Sequence, residues 1–279
     1  MNSILKWFGG KSFLLRYILP LPQHSFYAEI FGGGASVLFA KPPSYEELYN
    51  DLNDQLVNFW IQLKTYRPEL EQKIQEIGVL FSRCLFYRYK EITNDPIENA
   101  ARFFYMNNLS FSGDMNTFVG IGFKHNYNNH RVMWNKLPYL SEVEKRLKHV
   151  LIENQDFRQL IPRLDKKGVI MYIDPPYYEG GDIYERGIGG QKWTKNDNED
   201  LLQILTSIQH AKFILSFDQI EGYESYNIQK IDRRNRADSG SNGHEIKTEY
   251  VIRNFDPKTT ITHDHYSSRS LSHWNLCTK

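Results

Sequence analysis

A chain of 279 residues with 41% hydrophobic and 24% charged side chains can bury one large core, as a single domain or a domain with an insertion. Its 34 Lys and Arg nearly balance its 33 Asp and Glu, so the +1 net charge excludes a uniformly basic protein, and any surface for a polyanion must come from local clustering. No apolar run approaches the ~18 residues of a membrane span, the opening "MNSILKWFGGKS" lacks a signal-peptide core, and Cys84 and Cys277 show no metal or redox spacing. Together these predict a reduced, cytoplasmic protein.

Taken in chain order, residues 26–31 (FYAEIF) read as a short buried strand. "GGGAS" then opens a helix through "VLFAK", and the prolines at 42–43 stop it. Residues 47–51 (ELYND) read as a second strand ending on an acid. The helix after it places Leu56, Phe59, Trp60 and Leu63 on one face. From 64 to 147 the alternation is lost. Residues 69–92 and 97–109 read as helical, a Gly-, Asn- and aromatic-rich stretch follows, and 141–150 is one more helix. Strands at 150–154, 168–174 and 211–218 then alternate with helices at 157–165 and 196–209, and 226–234 and 248–255 offer two more strands. Such alternation means a largely parallel α/β sheet covered on both faces. Residues 1–63 and 148–279 are therefore expected to form one domain, and 64–147 a mainly helical insertion.

Two stretches carry chemistry. "EIFGGGAS" places a glycine-rich turn between a strand and a helix, where a ligand can approach the backbone closely; Asp51 ends the next strand, about 20 residues on, where dinucleotide folds bind ribose hydroxyls. A tight turn beside a solvated acid is the plainer alternative. "GGKS" (9–12) has the ending of a phosphate-binding loop, but Leu5 stands where such a loop needs its first glycine. The second stretch is "MYIDPPYY". Asp174 sits at the carboxyl end of an apolar strand, where ligands bind in open α/β sheets. Pro175 and Pro176 have fixed φ and no N–H, so the corner offers acceptors without adjacent donors. That suits an exocyclic amino group, and Tyr177 supplies a flat face for a base.

"LKWFGGK" (5–11), "EIFGGGAS" (29–36), "NDLN" (50–53) and "YIDPPYY" (172–178), in this order, resemble the Dam-type DNA adenine-N6 methyltransferases. The resemblance implies a Rossmann-like class I methyltransferase sheet, S-adenosylmethionine as methyl donor, no metal, and double-stranded DNA as substrate. It assigns cofactor contacts to Trp7, Lys11, Phe31, Gly32, Gly34, Asp51, Asp156, Phe157 and Asp174, and catalysis to Asp174, Pro175, Pro176 and Tyr177. The target adenine is then expected to leave the duplex and stack on Tyr177. By residue chemistry alone the acceptor stays open between adenine, cytosine N4 and an RNA amino group; the Asp before "PPY" leans toward adenine by family pattern. A silent DNA-binding copy of the fold is the competing class.

Residues 64–147 fall where that family places target recognition. Within "NNLSFSGDMNTF" (107–118), Asn107, Asn108 and Asn116 have the amide that suits adenine edges, and Phe111 or Phe118 is a candidate wedge. Lys6 and Lys124 are candidate DNA contacts. "NNLSFSG" departs from the "NRxGxNGL"-like loop of family members that read GATC, so no recognition sequence is implied. The glycine-rich 179–192 loop is a candidate lid, and Thr194 a helix cap. The expected partners are duplex DNA and, in a restriction–modification role, a cognate restriction enzyme, with the monomer as the active unit.

Overall fold

The computed structural model describes residues 3–7, 13–111, 113–119, 129–177, 193–234 and 246–260. Seven strands form one sheet: β1 (Phe26–Glu29), β2 (Glu46–Asn50), β3 (Val150–Glu153), β4 (Val169–Ile173), β5 (Lys212–Phe217), β6 (Asn227–Arg234) and β7 (Ile246–Arg253), in the order β3-β2-β1-β4-β5-β7-β6. The first five are parallel; β7 runs antiparallel to β5 and to β6. Connections leave β1 outward through β2 and β3, then return to β4 on its other side. The strand order therefore reverses between β1 and β4, and a crevice opens beyond their carboxyl ends. This is the largely parallel α/β sheet that the alternation of elements predicts.

Side chains alternate between two cores, as the period of a strand requires. Ala28, Ile30, Leu48, Met171, Ile173, Phe213 and Leu215 pack with α9 (Phe157–Arg163) and α10 (Lys195–Ser207) on one face. Tyr27, Tyr49, Ile170, Tyr172 and Ile214 face the other way. That second core takes in α1 (Leu15–Ile18), α2 (Ser36–Ala40), α3 (Asp54–Thr65), α4 (Arg67–Gly78), α5 (Arg83–Arg88), α6 (Pro96–Leu109), α7 (Asn129–Lys136) and α8 (Leu140–Leu147). A short helix α11 (Pro257–Thr260) ends the described chain. Among the described residues no helix is long and apolar enough to cross a membrane.

Local chemistry sets the helix starts. Asn53 accepts from the Gln55 and Leu56 N–H groups at α3, Asp95 caps α6 ahead of Pro96, and Thr194 with Asp197 forms a capping box at α10. The helical reading of 69–92 needs correcting: the chain breaks between α4 and α5. The Tyr105 hydroxyl, carried by α6, donates to the Leu80 carbonyl (2.8 Å) and accepts from the Ser82 N–H (3.2 Å), so the freed backbone groups find partners outside a helix.

The helices between 67 and 147 share their core with the sheet. Phe59 of α3 stacks on Phe103 and Phe104 of α6, at 5.9 and 5.7 Å between ring centroids. A buried ion cluster adds a second tie. Glu47 of β2 pairs with Lys41 and with Arg146 of α8, and Arg146 also donates to the Leu38 carbonyl (2.8 Å). Burial opposes ionisation of Glu47, but Arg146 and Lys41 outweigh it and hold the carboxyl below its usual range.

Candidate active site

The turn after β1 is built around three glycines. Gly32 donates to the Asn50 carbonyl (2.7 Å), and a Cβ there would intrude on the Tyr49 ring. Tyr49 cannot retreat easily, because its hydroxyl donates to the Gly33 carbonyl (2.8 Å) and accepts from Trp60 Nε1 (3.0 Å). Gly33 has a positive φ of 49°, and the Trp7 indole lies across Gly33 and Gly34. Asp51 closes the turn from β2: one oxygen accepts from the Gly33 N–H (2.8 Å), the other from the Asn53 N–H (2.9 Å). Burial raises its carboxyl pKa, and these backbone donors work against the rise. Trp7, Gly32, Gly34 and Asp51 are thus brought together along one edge. Lys11 lies outside the described residues.

Asp156 caps α9 and pairs with Arg158 (3.1 Å), which also binds Asp197 and Asp200 and so ties α9 to α10. Phe157 packs against Phe31 (5.5 Å) and Trp193 (5.4 Å), and Phe31 meets Trp193 edge-on. Trp193 was not among the residues expected at the site. It is a third wall of the aromatic group containing Phe31 and Phe157.

At the end of β4, Asp174 Oδ1 accepts from the Ser216 hydroxyl (2.8 Å), which is itself 2.9 Å from the Tyr172 hydroxyl. Ser216 is buried on β5 and has one hydrogen to give, so Tyr172 donates to Ser216 and Ser216 to Asp174. Pro175 is buried and Pro176 and Tyr177 are half-buried. The Tyr177 hydroxyl donates to Glu249 Oε2 (3.1 Å) on β7, and its ring meets Phe217 at 6.3 Å and 67°. Burial, with Asp174 and Glu249 beside it, drives this phenol far above the ordinary tyrosine range, so it stays protonated and remains the donor. Ser216 and Glu249 were missed in the sequence. The signal for Ser216 was a lone hydroxyl at the end of an otherwise apolar strand, "FILSF".

Glu29, at the end of β1, is buried and accepts from the Leu38 N–H (3.0 Å). Burial pushes its carboxyl up to about 8; the Leu38 N–H and Lys41 oppose the rise, and Asp174 adds to it. An unfolded glutamate ionises near 4.5. Between these values the folded protein keeps a proton that the unfolded chain has lost. This group's contribution to stability is therefore complete below about pH 4.5 and is lost as pH rises toward 8. Glu29→Gln is expected to flatten that decline, measured as urea midpoints of both proteins across the window; an equal slope in the variant would place the dependence elsewhere.

The recognition candidates divide. Asn107 and Asn108 are fully buried, which corrects the expectation that they read base edges. The Asn107 amide accepts from the Lys6 N–H (2.9 Å) and donates to the Lys6 carbonyl (2.7 Å). Asn108 donates to the Phe104 carbonyl (2.9 Å) and accepts from Lys136 Nζ (2.7 Å). The Lys6 ammonium turns inward to the Asn108 carbonyl (2.7 Å) and Asn129 Oδ1 (2.9 Å). Burial lowers the pKa of both lysines, that of Lys136 to about 8 with Lys6 nearby contributing. Phe118 is half-buried and packs against Phe81 and Phe86. Phe111 is 65% exposed, in a loop pinned by the Phe111 N–H to Thr117 carbonyl bond (3.1 Å) and by Gly113 (φ 82°) beneath the Lys6 carbonyl. Asn116 Oδ1 accepts from Lys90 (3.0 Å). Lys124 and the 179–192 loop lie outside the described residues. Among the described residues no three His, Cys, Asp or Glu side chains form a metal-holding group.

The site thus joins a glycine turn, an acid after each of β2, β3 and β4, and an acceptor-rich proline corner. Comparison with known proteins gives the same direction. The sequence model of the D12 class N6 adenine-specific DNA methyltransferases matches residues 7–237. The chain is 25% identical to the type II methyltransferase M1.LlaDCHI of Lactococcus lactis subsp. cremoris, over 91% of this chain and 96% of that one. It is 24% identical to the modification methylase StsI of Streptococcus sanguinis, over 93% of this chain and 44% of that protein. It is 29% identical to the DNA N-6-adenine-methyltransferase of Escherichia phage P1, over 63% of this chain and 24% of that protein. With the family's model spanning both the glycine turn and the proline corner, the chain belongs to the D12 class of N6 adenine-specific DNA methyltransferases.

Proposed function

We propose that this enzyme methylates the amino group of an adenine flipped out of a specific duplex sequence, with S-adenosylmethionine as donor and no metal. The observation that carries the reading is the corner after β4, where Asp174 is fixed by Ser216 and followed by two residues without N–H groups and a ring anchored on Glu249. The donor set fits the cofactor. Asp51 and Asp156 are acceptors after β2 and β3, suited to a ribose diol and an adenine amine, and Phe31, Phe157 and Trp193 offer an apolar wall. The carboxylates of Asp51, Asp156 and Asp174 along this edge suit a sulfonium charge.

S-adenosylmethionine, when bound, supplies an electrophilic methyl group whose C–S electrons return to sulfur as the amino nitrogen's lone pair takes the carbon. Asp174 and the Pro175 carbonyl hold the amino hydrogens, which aims that lone pair, and Asp174 takes the proton the nitrogen releases. Tyr177 stacks on the extruded base. Much of the acceleration comes from holding the two reactants in line. Phe111, exposed on its pinned loop, is the wedge that enters the gap, and Asn116 beside it is the remaining base-edge reader. Residues 64–147 are the target-recognition segment, packed onto the catalytic sheet.

The relatives named a type II methyltransferase and a modification methylase support a restriction–modification role with a cognate restriction enzyme. The monomer is the active unit and acts on DNA in the cytoplasm. Base extrusion has its own test. Long-read sequencing of methylated DNA gives the target, and 2-aminopurine is then placed at the methylated position. Fluorescence is expected to rise on binding; a bound duplex that stays dark would contradict extrusion.

A further inference from the structure

The antiparallel β7 brings a carboxylate to an edge otherwise formed by the parallel strands. Phe217, the last residue of β5, is opposite Tyr250, so Glu249 falls level with the residue that follows β5. It is 9% exposed, and its Oε2 takes the Tyr177 hydroxyl hydrogen at 3.1 Å. Among the described residues, Glu249 belongs to neither the cofactor edge nor the acceptor corner.

We propose that Glu249 is a positioning residue that makes the Tyr177 ring a better support for a purine gaining positive charge. This rests on Tyr177 being the stacking platform. A phenol that donates to a buried carboxylate carries more electron density on its ring than one that donates to water. The face of an electron-rich ring attracts cations. As the adenine nitrogen forms its bond to the methyl carbon, the base becomes cationic until the proton leaves, so the attraction is larger in the transition state than in the ground state. The hydrogen bond also holds the ring across the crevice, with Phe217 limiting its swing. Glu249 acts through the Tyr177 hydroxyl rather than on the reacting atoms.

Full-length Glu249→Gln, Tyr177→Phe and the double variant are compared with wild type. Single-turnover methyl transfer at saturating DNA and cofactor is expected to slow about tenfold in Glu249→Gln, with DNA affinity within about twofold. Tyr177→Phe is expected to lose a similar factor and the double variant no more than either single one, because one change removes the charge of the acceptor and the other the donor of the same hydrogen bond. An unchanged rate, a loss confined to DNA affinity, or additive losses would overturn the proposal. A second readout needs no turnover. In protein with 13C at the tyrosine ζ-carbon, the resonance missing from Tyr177→Phe is expected to move upfield in Glu249→Gln; no movement would overturn the proposal. A wild-type protein that makes no N6-methyladenine would refute the methylation reading instead, and the NMR result would still decide the bond between Tyr177 and Glu249.

Discussion

Asp174→Ala is expected to slow methyl transfer on the order of 10³-fold, the factor typical of removing a group that both orients a reacting atom and takes its proton. The argument is geometric. Asp174 leaves β4 at the reversal of strand order, its Oδ1 is fixed by a buried hydroxyl, and the next two residues bring no N–H to compete for the amino group. The Ser216 hydroxyl would lose its acceptor but keep Tyr172, so the fold should survive. Single-turnover rates, with duplex affinity and thermal melting as controls, decide it. A variant that turns over near the wild-type rate would remove Asp174 from the mechanism.

Glu47→Ala is expected to cost about 3–5 kcal/mol of folding stability, the range for stranding a buried charge. Two cations are at stake. Lys41 and Arg146 are both largely withdrawn from water, and both pair with this one carboxylate. Glu47 also accepts from the Ser44 N–H (3.0 Å), so the turn before β2 loses a partner too. Because Arg146 belongs to α8, the loss loosens the helical segment from the catalytic sheet. Urea unfolding measures the effect; a change below about 1 kcal/mol would mean that water or a shifted partner compensates the cations.

What could be read from the sequence was local. The β4 strand and its "DPPY" end are contiguous, and the cap at Thr194 lies within three residues of the N–H group it satisfies. The glycine turn and Asp51 were legible because a strand–turn–helix–strand unit brings them together by construction. What was misread depended on distant partners. Asn107 and Asn108 have the chemistry of adenine readers, yet they follow Phe103 and Phe104 at helical spacing on the buried face of α6, and Asn107 clamps a backbone segment 101 residues away. The break after α4 rests on Tyr105, 25 residues beyond Leu80. Ser216 and Glu249 reach the site only because β5 lies beside β4 and β7 runs antiparallel beyond it, a placement no short motif records.

The most direct test of the account is nucleoside mass spectrometry of unmethylated duplex DNA after incubation with the protein and S-adenosylmethionine. The account predicts N6-methyladenine, absent without cofactor and lost in Asp174→Ala. N4-methylcytosine, or no methylated nucleoside when the protein is folded and binds the cofactor, would contradict it.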